Sequence, residues 1–73
     1  MDVWVLISYE SIYGQPDKQE VEKLFANIED AKSYVDRVYS YTLQHEDDDS
    51  VVYVGEQNRY DSYKVWIDKF KVE

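Results

Sequence analysis

Val3-Trp4-Val5-Leu6-Ile7-Ser8-Tyr9 is β-branched and aromatic throughout and holds no turn former. Such a run reads as a strand. Its alternation separates Val3, Val5 and Ile7 from Trp4, Leu6 and Ser8. Tyr13-Gly14-Gln15-Pro16-Asp17 follows as a turn or loop, since it carries the single proline and one of the two glycines. The next stretch supports two readings. Val21, Leu24, Phe25, Ile28, Ala31, Val35 and Val38 recur at helical spacing, which allows one helix over about 17–43. The alternative is a strand over Glu20–Phe25 and then a helix from Ile28 to about Tyr41. Asn27 and Asp30 form an N-x-x-D pattern resembling a capping box, and asparagine is a good cap but a poor interior residue. The split is therefore preferred.

Beyond the helix, His45–Ser50 is expected as a loop, because four consecutive acids repel one another. Val51–Val54 reads as a strand, Gly55–Asp61 as a turn around Asn58-Arg59, and Ser62–Val72 as a long strand. In that last strand Val65 and Ile67 share one face, and Trp66, Phe70 and Val72 the other. The expected fold is a single α+β domain over residues 1–73: a β-β-α-β-β order, with one helix on an antiparallel or mixed sheet of about four strands.

At this level the chain resembles a broad group of small uncharacterised phage and bacterial α+β proteins. The resemblance is carried by "VWVLISYE", "VEKLFANIEDAKSYV" and "YKVWIDKFKVE", with Phe25, Asn27, Asp30 and Ala31 matching the helix entry. It implies a small accessory protein, often phage-borne, and no catalytic residue.

Composition changes the picture in two ways. The chain is 16% aromatic and 44% hydrophobic, too rich for a disordered tail. No run approaches the ~20 apolar residues of a membrane span. Met1–Ile7 lacks the basic start of a signal peptide. With no cysteine there is neither a disulfide framework nor a thiolate metal site, which fits an expected cytoplasmic location. A domain of this size buries only about 60–65% of its unfolded surface, so a homodimer is a reasonable expectation.

The charge is the second change. Sixteen acids against eight bases give −8. Residues 1–58 carry thirteen acids and four bases, whereas 59–73 are close to neutral. This excludes a basic footprint for direct nucleic-acid or anionic-membrane binding and favours a basic protein partner. The plainer reading is that acidity keeps a small aromatic-rich protein dissolved.

No constellation points to catalysis. His45 is the single histidine and has no nucleophile beside it in the sequence. The run Asp47-Asp48-Asp49 is consecutive rather than alternating and lacks a turn glycine, so no specific metal site is expected. Gly14 and Gly55 stand alone and make no phosphate loop. No cofactor is implied.

The expectation is a non-enzymatic acidic protein acting on a basic partner. Its spaced carboxylates can stand in for phosphates in the groove of a nucleic-acid-binding protein. The partner-facing acids are Glu29, Asp30, Asp36, Glu46, Asp47, Asp48 and Asp49, with Glu20 and Glu22 nearby. Two other readings stand beside it. One is an oligomerisation module with an aromatic sheet face of Trp4, Leu6, Trp66 and Phe70, opposite a helix-packed face of Val3, Val5, Ile7, Val65 and Ile67. The other is a small-ligand sensor with a tyrosine-lined pocket.

Overall fold

A computed structural model describes residues 1–72. Its elements are β1 (Asp2–Ile12), β2 (Lys18–Phe25), α1 (Ile28–Val38), β3 (Thr42–Glu46), β4 (Ser50–Gln57) and β5 (Asp61–Lys71). The five strands form one antiparallel sheet in the order β2-β1-β5-β4-β3. β2 and β3 are thus the two edges, and α1 carries the chain from one edge to the other across a single face.

The sheet has one strand more than the sequence pattern suggested. Thr42–Glu46 is β3, and the acid run is shorter as a loop than expected. Edge position explains the miss. All five β3 residues are exposed, so no buried alternation marks the strand. The divided reading of residues 17–43 is the one adopted, with β2 ending at Phe25 and α1 beginning at Ile28.

Asn27 takes extended backbone angles, and its Oδ1 accepts the Asp30 amide N–H at 2.9 Å. That satisfies one of the amides a helix start leaves unpaired. The helix stops at Val38 rather than near Tyr41. Tyr39 is extended and donates its N–H to the Val35 carbonyl at 2.8 Å. Tyr39 and Tyr41 then pack ring to ring at 5.1 Å, which gives these weak helix formers a better place outside the helix.

The core lies between α1 and the sheet centre. It comprises Leu6, Val51, Tyr53, Val65 and Ile67 from the sheet and Ala31 and Val35 from the helix. Trp4, Phe25, Ile28, Tyr34, Tyr39 and Tyr41 close around it, half-buried. Burying each large aliphatic side chain contributes roughly 1.5–3 kcal/mol. Val38, the last of the apolar residues at helical spacing, is half exposed at 51% because the helix ends there.

The two faces of β1 are the reverse of the expected assignment. Leu6 lies directly opposite Ile67, and Ile7 opposite Trp66. Residues paired directly across antiparallel strands share a face. Leu6 is therefore buried under the helix with Ile67, and Trp4 packs beside it. Val3, Val5 and Ile7 share the open face with Trp66 and Phe70. For β5 the expected sides hold. The register decides the matter; whether a side chain is aliphatic or aromatic does not. No helix among the described residues is long and apolar enough to cross a membrane.

Candidate acidic groove

Glu29, Lys32, Ser33 and Asp36 are spaced i, i+3, i+4 and i+7, so they form one stripe along α1. That stripe does not face the core; it looks toward the β3–β4 hairpin. Between helix and hairpin runs a groove of about 620 Å³. Ile28, Glu29, Lys32, Ser33 and Asp36 make one wall, and Glu46, Asp47 and Asp48 the other, with Trp4 and Val51 also lining it. Five acidic residues from two separate segments of the chain thus line one groove together with Trp4. The volume lies within the ~300–1,000 Å³ of ordinary binding clefts.

The hairpin that presents the second wall is closed by one of its own acids. Asp47 Oδ1 accepts the amide N–H of Asp49 at 2.8 Å and of Ser50 at 2.9 Å. The Asp47 N–H in turn donates to the Ser50 carbonyl at 2.9 Å. An aspartate closing a turn on its own downstream amides is a recurrent turn device. Its other oxygen, Oδ2, lies 2.9 Å from His45 Nε2. The His45 contact, followed by the Asp49 amide, holds the Asp47 carboxyl below its usual range. The acid run is consequently an ordered turn with Asp47 as its key. Asp48 takes no part in these bonds.

Lys32 bridges the groove by donating to Glu46, a contact that ties α1 to β3. The same contact raises the Lys32 pKa above its ordinary value, hydrogen bonding to Glu46 being the main cause. At the Trp4 end, the Lys69 ammonium sits 5.8 Å from the indole ring, with Asp2 at 3.7 Å and Asp49 at 3.8 Å.

Of the seven acids expected to face a partner, five line the groove: Glu29, Asp36, Glu46, Asp47 and Asp48. Asp30 is engaged in the cap, where its carboxylate also accepts from Asn27 Nδ2 at 3.1 Å. Asp49 turns to β5, its carbonyl accepting the Lys69 amide N–H at 2.9 Å. Sequence reasoning missed Trp4 as a groove residue because it assigned β1 to the wrong face. It also passed over Lys32 and Ser33, although their spacing from Glu29 and Asp36 was readable.

Four of the eight tyrosines line a second, smaller cleft. Tyr9, Tyr39, Tyr41 and Tyr63 line about 180 Å³ together with Ser8, Glu10, Lys18, Glu20, Glu22 and Lys64. This lies below the usual range for a ligand pocket. Ser8 Oγ already donates to Glu22 at 2.6 Å, and Lys18 pairs with Glu20 at 3.3 Å. Glu20 and Glu22 therefore belong to this end of the molecule and not to the groove. Among the described residues no group of three or more His, Asp or Glu side chains is arranged to hold a metal.

Comparison with family models, with curated proteins and with solved structures gives no match.

Proposed function

We propose that the protein is a non-enzymatic binding protein that takes cationic side chains of a basic partner into the acidic groove between α1 and the β3–β4 hairpin. The convergence of five acidic residues from α1 and the β3–β4 hairpin on one concave surface carries this reading. A solvated charge run would need no such convergence, and a solubility device would spread its acids. Trp4 lines the same groove, where its ring already takes the chain's own Lys69 ammonium at 5.8 Å, the kind of contact a partner's guanidinium or ammonium group would make in competition with it. Carboxylates gathered on one surface can stand in for the phosphates that the basic groove of a nucleic-acid-binding protein accepts. The target is accordingly a nucleic-acid-binding protein, and the action is inhibition by occupying its basic groove, of the kind small phage proteins exert.

Titration with an arginine-rich peptide tests the reading. Affinity is expected to fall steeply as salt rises, as charge-driven association does. Glu29→Gln, Asp36→Asn and Asp48→Asn should each weaken it, and Trp4→Leu should weaken it further at fixed charge. Binding that is indifferent to all four changes rejects the groove as the site.

A further inference from the structure

The face of the sheet away from α1 is covered by none of the described residues, and its pattern indicates what covers it. Cross-strand pairing aligns Val21, Ile7, Trp66, Val52 and His45 in one row across all five strands. On one side of that row lie Gln19, Tyr9, Lys64 and Val54; on the other lie Leu24, Val5, Asp68 and Ser50. Phe70 and Val3 extend the apolar surface further, and Val21, Leu24 and Phe70 are 65%, 60% and 51% exposed. An apolar cleft of about 330 Å³ lined by Val3, Leu24 and Phe25 with Met1, Asp2 and Ala26 continues it at one end. The centre of the face is nearly neutral, although the whole chain carries −8, because the groove acids lie on the helix side.

We infer that this open face is a dimer interface, occupied by the same face of a second copy, with a two-fold axis along the Val21–Ile7–Trp66–Val52 row. Three observations commit the face to a second copy. The first is symmetry of charge. Lys64 and Asp68 flank Trp66 at two residues on either side. A two-fold axis lying in the interface and crossing β5 at Trp66 runs the two β5 strands antiparallel and sets each Lys64 against the other copy's Asp68. An isologous interface requires such self-complementarity. The second is symmetry of shape. The same axis sets Tyr9 against Val5, and Val54 against the small Ser50, so bulk on one flank meets less bulk on the other. The third is area. Five strands spaced about 4.8 Å apart are roughly 24 Å wide, and the apolar positions run roughly 20–25 Å along them. Two such patches, with their polar margin, remove about 1,000–1,200 Å² in total, which clears the lower bound for a specific interface. Face-to-face sheets about 10 Å apart are a standard way to complete a thin α+β layer. In this dimer each acidic groove points outward, so the assembly presents two of them.

Sedimentation of the full chain across a concentration series, up to about 1 mM so that even weak association would register, tests the inference. The expected mass is twice the 8.8 kDa of one chain. Lys64→Asp sets carboxylate against carboxylate across the axis and should weaken dimerisation roughly ten-fold or more. Asp68→Lys sets ammonium against ammonium and should do the same. Combining Lys64→Asp with Asp68→Lys in one chain restores opposite charges and should recover the dimer. High salt should leave most of the association intact, unlike groove binding, because apolar burial carries it. Circular dichroism melts confirm that each variant is folded. A wild-type mass of one chain at every concentration overturns the inference. So does a dimer that ignores the single changes, or a double variant that stays dissociated.

Discussion

Asn27 and Asp47 do comparable work, one at the start of α1 and the other in the β3–β4 turn. Each offers a side-chain oxygen to downstream amides and so fixes where an element begins. Asn27→Ala leaves the Asp30 N–H without its partner and should cost about 1 kcal/mol, read as a lowered denaturation midpoint, whereas Asn27→Ser should retain most of it. Asp47→Ala should lower the melting temperature, because the Asp49 and Ser50 amides lose their acceptor. Asp47→Asn keeps an acceptor oxygen and should lie close to wild type; Asp48→Asn should have no effect on folding. The pH dependence follows in sign. Asp47 is more acidic folded than unfolded, so its contribution is present above the ordinary aspartate range and is lost as pH falls through its depressed folded value. Melts below about pH 4 should show this loss in wild type and not in Asp47→Asn. The two residues differed in legibility. Asn27 stood out because asparagine is out of place inside an apolar helical period. Asp47 was hidden in a run of like residues, where three aspartates look equivalent until the turn selects one.

Among the elements, β5 and α1 were readable because each places apolar residues in the core at its own period, and β1 because its run is β-branched and aromatic throughout. β3 buries nothing and left no such period. The inverted face of β1 has a different cause: both of its faces are apolar, so alternation alone could not orient it, and only the Leu6–Ile67 register does. Gly55 was read simply as part of a turn, yet it lies within β4 against the Tyr41 ring. A Cβ built at Gly55 would stand 2.5 Å from Tyr41 Cε1. The ring must move to admit any side chain, and Tyr41 is held by Tyr39 at 5.1 Å. Gly55→Ala should therefore destabilise by about 1–3 kcal/mol, the usual cost of overpacking. Pairing it with Tyr41→Ala should recover part of that loss, since the obstacle is removed. Thermal melts of the single and double variants check this, and additive losses would mean that the two residues do not interact.

On the scale of the whole molecule, the chain divides its chemistry between two faces. The side bearing α1 holds the groove acids, and the opposite side holds a nearly neutral apolar sheet. Net charge was legible from composition, but its segregation was not, because it depends on which way each strand faces. The segregation makes stability and binding separable. Glu29, Asp36 and Asp48 line the groove, and none of them carries a side-chain hydrogen bond or ion pair among the described residues. Converting the three to Gln, Asn and Asn relieves mutual repulsion while leaving the Lys32–Glu46 contact, the Asn27 cap and the Asp47 turn in place. Glu29 stabilises the first helical turn through the macrodipole, and its loss sets a counter-term of about 0.3–1 kcal/mol. The triple variant should therefore melt within a few degrees of wild type, and the gap should narrow further in high salt, where both effects are screened. Its association with an arginine-rich peptide should be slower and weaker at low salt, and should converge on the wild-type value as salt rises. A variant that melts far lower would mean that the groove acids hold the fold together; one that binds unchanged would leave the charge as a means of staying dissolved.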